Sequence, residues 1–263
     1  MSGKLPVRMV ERPWGRASLP SPFEAPAGQV IGEVWFEPQP SLPQLLVKYI
    51  FTSEKLSVQV HPSSAQLPGH GKEECWLVID AEPGATLGIG FNKAITPEEM
   101  RAAALDGSIE RLMTWHPARA GDFFHIPPGT VHAIGPGISL VEVQQNSDVT
   151  FRLYDYGRPR ELHLDEGMAV ARGEPYPEAS KRQVPEHGNV TLVDGPVFLL
   201  DRIEGTPDAA LGQRYAGPML VIPRKGEVRV GGERVAVGEC CEAASLDEVS
   251  LLSDAQALIS QAV

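Results

Sequence analysis

Two imidazoles, a carboxylate and an amide oxygen can share one divalent metal when a fold brings them together. This sequence holds such a set in Gln59-Val60-His61, Glu74 and His132, the last closing the run Gly121-Asp122-Phe123-Phe124-His125-Ile126-Pro127-Pro128-Gly129-Thr130-Val131-His132. Gln59 and His61 stand two apart, and in a strand that spacing turns both side chains to one face. Two nitrogens and two oxygens suit Zn2+ and leave room for water or substrate oxygens; Mn2+, Fe2+ or Co2+ accept the same donors.

The elements that must position these residues read as strands. Val30 to Phe36, Gln44 to Phe51 and Leu56 to His61 alternate β-branched or aromatic residues with polar ones, and Pro or Ser/Glu turns separate them. Cys75 to Asp80 continues as strand, followed by a turn over Ala81 to Ala85. Ile138 to Gln145 and Val149 to Tyr154 return to the same texture.

Between them, Thr96-Pro97-Glu98-Glu99 sets a hydroxyl N-cap, Pro at the first helical position and Glu at the third, so a helix is predicted through Leu105. A further helical turn is predicted from Ile109 to Met113 behind the Asp106-Gly107-Ser108 break, which makes 96–113 a helical insertion between strands. The Pro-, Glu- and Lys-rich stretch from Gly173 to Asn189 reads as a linker. Beyond it Gly231-Gly232 between alternating runs signals a hairpin, and the absence of histidine after His187 excludes a histidine-bound metal from that half. The predicted class is mainly β, with a metal-binding barrel or sandwich over 1–172 and a smaller structural, regulatory or dimer-forming half over 190–263.

Composition narrows the function classes. A net charge of −11 opposes a nucleic-acid or anionic-membrane surface, because phosphate binding needs clustered Lys and Arg. An anionic small substrate needs a local basic pocket working against that field. The cysteines, Cys75 and the adjacent pair Cys240-Cys241, form neither a disulfide framework nor a zinc-spaced motif, so reduced thiols in a cytoplasmic protein are expected. No run is apolar enough for a signal peptide or a bilayer span.

Gly121, Pro127, Gly129 and His132 match the second signature of the cupin superfamily, where the glycines and proline turn a strand so that the histidine points inward. The first signature departs from the usual pattern, with Gln59 in place of a histidine and a longer loop before Glu74. Four motifs in order then resemble type I phosphomannose isomerases: Gln59-Val60-His61-Pro62, Gly71-Lys72-Glu73-Glu74-Cys75-Trp76, Gly129-Thr130-Val131-His132-Ala133-Ile134 and Ser147-Asp148-Val149-Thr150-Phe151-Arg152. The resemblance covers roughly residues 29 to 170, with weaker echoes in Pro13-Trp14-Gly15 and Gly32-Glu33-Val34-Trp35. It implies a cupin (jelly-roll) barrel, a second cupin-like β half, and one zinc per chain on Gln59, His61, Glu74 and His132. It also implies interconversion of mannose 6-phosphate and fructose 6-phosphate, in a monomer or homodimer that meets a phosphorylated hexose and neither nucleic acid nor membrane.

Aldose–ketose isomerisation moves a proton between C1 and C2 through an enediol, so such a site must stabilise an oxyanion and hold a base near the carbon acid. Asp148 and Arg152 resemble the family's active-site segment, and their i, i+4 spacing puts both on one face of a strand. Arg152 corresponds to the family's active-site arginine, whose fixed charge suits an enediolate or a phosphate, and Asp148 is the candidate for proton transfer. Lys72 shares a face with Glu74 and can bind phosphate or steady the enediolate. Glu142 is read either as facing the interior or as pairing with a nearby cation. His116, His163 and His187 are read as bystanders, His70 as exposed or bordering the mouth, His125 as a packing or supporting residue, and Arg158 and Arg160 as a solvated turn or as added charge near the site. Two other readings stay open: a sugar-binding cupin without turnover, and a metal-dependent cupin enzyme acting on another substrate. No Gly-rich phosphate loop, GxSxG elbow or dinucleotide fingerprint is present, so any phosphate must be gripped by side chains.

Overall fold

The computed structural model describes residues 2–263. Its strands pair into a seven-stranded and a five-stranded sheet, followed by a six-stranded and a three-stranded sheet built mostly from the C-terminal third. The mainly β expectation holds.

Strand composition explains the layering. Leu45–Phe51 and Ile138–Gln145 are buried almost throughout, as expected of central strands covered on both faces. Alternation divides their side chains. Val47, Tyr49, Val141 and Val143, with Cys75 and Leu77 of Glu74–Ala81, face a core shared with Leu200, Leu220, Ile222 and Leu258 of the six-stranded sheet. Ile50, Trp76, Val78 and Leu140 point the opposite way and pack against Leu87, Ile89 and Ile134 of the five-stranded sheet. The space between these two sheets is where the metal-ligating candidates meet.

The far side of the five-stranded sheet is closed by the helical insertion, with Met100, Ala103 and Ala104 packed on Val58, Val60, Val131 and Ala133. Pro97–Asp106 begins at Thr96 with the expected capping box: Thr96 Oγ1 accepts from the Glu99 amide, and the Glu99 carboxylate accepts from the Thr96 amide at 2.8 Å. Thr96→Ala removes half of that exchange and is expected to lower stability by about 1 kcal/mol, read as a lower urea midpoint at unchanged slope.

Two features depart from the sequence reading. The 173–189 stretch is more than a linker, because Lys181–Gln183 pairs antiparallel with Asp122, Phe123 and Phe124 at the edge of the seven-stranded sheet. Its polar composition suits an edge strand, where charge discourages pairing with other chains. The N-terminal Gly3–Lys4 pairs with Cys241–Ala243, so the start of the chain belongs to the C-terminal sheet. The Gly231-Gly232 hairpin forms as expected, both glycines having positive φ between Val228–Val230 and Glu233–Val235. Among the described residues no helix is long and apolar enough to cross a membrane.

Candidate metal centre and its cavity

The five-stranded sheet contributes Gln59 and His132, which are direct cross-strand neighbours, and His61 follows at the end of Val58–Val60. Glu74 opens its strand on the facing sheet, at the level of Gln144. The result is that His61 Nε2 lies 3.4 Å from Glu74 Oε2 and His132 Nε2 lies 3.4 Å from Glu74 Oε1. One ligand atom from each of the three lies within 4.8 Å of the others, and all three side chains are buried. Gln59 Nε2 donates to His132 Nε2 at 3.3 Å. A half-turn of the amide brings its oxygen to the same place.

The ring orientations are fixed from behind. His61 Nδ1 donates to the Val149 carbonyl and His132 Nδ1 to the Thr130 carbonyl, each at 2.9 Å. With Nδ1 protonated, both Nε2 lone pairs are left facing Glu74, the tautomer a metal requires. The Pro127–Thr130 turn that supplies one of these carbonyls is held by Gly129, whose amide donates to the His61 carbonyl at 2.8 Å. Gly129 has φ +83°, and a Cβ there would meet the Val170 carbonyl oxygen at 2.9 Å, so the motif glycine is required by both conformation and space.

Burial sets the protonation states. It pushes His132 down to about 4 and His61 well below the usual imidazole range, with the Lys72 charge and His132 adding to the effect on His61. Both rings are therefore neutral near pH 7. Burial followed by repulsion from Glu142 pushes Glu74 up to about 7, against the pull of Lys72 and Lys48. His61 Nε2 and Glu74 Oε1 have no hydrogen-bond partner among the described residues. A buried pair of lone-pair donors with nothing between them carries a desolvation cost that a cation relieves. The donor set thus fits a divalent metal, with two neutral imidazoles, one carboxylate and one amide.

Beside it lies a cavity of about 310 Å³ whose wall includes Gln59, Lys72, Glu142, Asp148, Arg152 and Arg160. Lys72 is buried, with Nζ 3.2 Å from Glu74 Oε2. Burial alone would lower it, but the Glu74 and Glu142 carboxylates outweigh that and hold it above the usual lysine range. Arg152 is the cross-strand neighbour of Gln59 on the side away from His132. Its Nη1 donates to the Glu161 carbonyl at 2.7 Å, and its buried Nε has no partner among the described residues. Asp148 lies on the same wall but is exposed and precedes the strand Phe151–Tyr154, so it and Arg152 do not share a strand.

Glu142 resolves to both of its readings at once. It faces the interior, and it accepts from Lys48 Nζ at 3.2 Å and Trp76 Nε1 at 3.0 Å. Lys48, Glu142 and Trp76 are cross-strand neighbours in one row. Lys48 also donates to Gln144 Oε1 at 2.5 Å and lies over the Trp35 ring. Two buried lysines and two buried glutamates balance in charge, yet each buried ion costs several kcal/mol to desolvate, so the quartet is better explained by a function than by stability. Lys48 and Arg12 were not singled out in the sequence, and Glu33 and Trp35 stood there only as part of a weak family echo. A charged residue at the centre of an apolar strand, Lys48 in Leu45–Phe51, was the available signal.

The remaining residues fall into place. His125 Nε2 and Glu73 Oε1 are 2.9 Å apart, a supporting contact next to Glu74. His70 is exposed. His116, although buried, lies at a different cavity with Lys181. Arg158 and Arg160 are not a solvated turn: both guanidinium groups bind the buried carboxylate of Asp155, which satisfies charges that the local sequence suggested were left to water.

No family model matches the chain. Over 209 residues it is 37% identical to mannose-6-phosphate isomerase from Streptococcus mutans, covering 73% of this chain and 65% of that protein. Over 207 residues it is 38% identical to a mannose-6-phosphate isomerase of Bacillus subtilis, with the same coverage. The chain is a relative of the phosphomannose isomerases. The match spans slightly less than two thirds of those relatives' own length. Among solved structures, mannose 6-phosphate isomerase from Bacillus subtilis aligns with TM-score 0.80 and 23% identity over 98% of both chains. A zinc-bound mannose 6-phosphate isomerase aligns with TM-score 0.73 and 14% identity over 99% of both. These structural likenesses establish the shared fold.

Proposed function

We propose that this chain is a zinc-dependent aldose–ketose isomerase that interconverts mannose 6-phosphate and fructose 6-phosphate through an enediol, with one ion per chain held by Gln59, His61, Glu74 and His132. The observation that carries this reading is the convergence of two neutral, backbone-oriented imidazoles on one buried carboxylate, beside a cavity that also holds Lys72 and Arg152. Support comes from the sequence relatives named mannose-6-phosphate isomerase and from the zinc-bound structure of the same fold. Bound zinc supplies Lewis acidity toward hydroxyl and carbonyl oxygens.

The chain's own groups divide the rest of the work. Lys72, held above the metal-ligating carboxylate, places fixed positive charge where negative charge grows on the sugar oxygens. Arg152 does the same from the neighbouring strand. Asp148, on the cavity wall and in no ion pair among the described residues, takes and returns the proton between C1 and C2. The facing sheets exclude bulk water from the metal end, which strengthens each of these interactions. Three buried, unpaired cysteines accord with a cytoplasmic setting.

The test is coupled turnover of mannose 6-phosphate by purified protein before and after chelation. Turnover that disappears on chelation and returns with Zn2+ is expected. Sugar phosphate binding without turnover in the zinc-loaded protein would instead support a sugar-binding cupin.

A further inference from the structure

We infer that Arg160, aimed by the buried carboxylate of Asp155, anchors the phosphate of the substrate at the end of the cavity away from Lys72. This rests on the hexose phosphate reading above and assigns its phosphate to particular atoms.

Asp155 is 2% exposed and is gripped on one edge by Arg160, whose Nε donates to Oδ2 at 2.5 Å and Nη2 to Oδ1 at 2.7 Å. That two-point contact locks the plane of the guanidinium. Its third nitrogen, Nη1, has no protein partner among the described residues, and Arg160 lines the cavity. Arg158 also reaches Asp155, at 3.0 Å, but it is occupied elsewhere: Nη2 donates to the Lys55 carbonyl at 2.5 Å, and the guanidinium lies over the Tyr156 ring. Arg158 therefore braces the loop, and Arg160 is the one presented to the cavity.

The loop that sets this geometry is conformationally unusual. Tyr156 has φ +55°, rare for a bulky residue, and Gly157 follows at φ +80°. The reversed turn carries the chain from the strand holding Arg152 back so that Arg160 lines the same wall. Backbone strain of this kind persists where surrounding contacts over-determine it, and it clusters at ligand clamps. The cavity wall carries five Lys and Arg side chains against three carboxylates, an excess of positive charge in a protein whose overall charge is −11. That local reversal of sign is what a doubly charged anion needs.

Position separates this end from the reacting end. Lys72 contacts Glu74 on the seven-stranded sheet. Arg152 lies two strands from His132, with Gln59 between. At ~4.8 Å per strand their backbones are roughly 10 Å apart, so one extended hexose phosphate can have its C1–C2 end between the metal and Arg152 and its phosphate beyond, at Arg160.

Arg160→Met is the test, measured by steady-state kinetics on the zinc-loaded protein. Asp155 keeps Arg158 as a partner in this variant, so the fold is retained, and equal thermal midpoints check it. KM for mannose 6-phosphate should rise about 10- to 100-fold, the range for losing a charged hydrogen bond, while kcat changes less than about threefold. Inhibition by inorganic phosphate should weaken in step, and Arg160→Lys should recover part of both. Asp155→Asn, as a positioning variant, should raise KM in the same direction with metal content unchanged. An unchanged KM in Arg160→Met beside an active parent would overturn the inference and leave the isomerase reading standing. Should the parent itself fail to isomerise the sugar, titration calorimetry with inorganic phosphate decides separately. Binding present in the parent and lost in Arg160→Met supports the anchor, and equal binding in both overturns it.

Discussion

His132→Ala is expected to remove metal and turnover together, with metal affinity falling by more than the roughly 10- to 100-fold typical of losing a supporting partner. His132 is fully buried, its Nδ1 is committed to the Thr130 carbonyl, and its Nε2 faces the Glu74 oxygen that His61 does not. Nothing else on that wall can replace the lost donor, because the adjacent position on the neighbouring strand is already Gln59. Glu74→Gln should have the same effect while keeping the shape, since it removes the anionic ligand. Either change takes from buried Lys72 its closest counter-charge, at a cost of about 3–5 kcal/mol in stability, and Glu74→Ala is the less informative because it also empties space in the buried site. Elemental analysis of protein purified in parallel with the parent is the measurement. Full occupancy in His132→Ala would remove this histidine from the ligand set.

Arg152→Ala should do the opposite with respect to metal, leaving content intact while kcat falls about 10²- to 10³-fold, the range for one lost oxyanion donor. Arg152 touches none of the ligand atoms, yet its backbone is paired with that of Gln59 and its guanidinium is half committed to the Glu161 carbonyl. The unpartnered, buried Nε marks the remaining half as available to a ligand. Arg152→Lys should restore little, because one ammonium cannot hold the Glu161 carbonyl and reach the cavity in the same geometry. Near-normal kinetics in Arg152→Ala would take this residue out of the active site.

Short-range patterns made much of the molecule readable from the chain alone. The period-two alternation of Leu45–Phe51 and Ile138–Gln145, the Thr96 capping box and the Gly231-Gly232 hairpin are each specified by a few neighbouring residues, and each forms as expected. The ligand candidates were legible for the same reason, since the Gln59 and His61 spacing and the glycine–proline turn before His132 act locally. The structure alone revealed what depends on which strands become neighbours. Lys48, Glu142 and Trp76 are scattered along the chain and meet only because three strands pair in that register. Asp155 and Arg160 are close in sequence, but it takes the left-handed Tyr156 to turn their contact toward the cavity, and nothing in the residue types announces that conformation. The edge strand Lys181–Gln183 was missed because its polar side chains answer to the solvent at a sheet margin, and its order comes from backbone pairing with Asp122–Ile126. Side-chain chemistry is written locally and can be read directly, whereas cross-strand contacts are fixed by the register of the whole sheet, which no single segment carries.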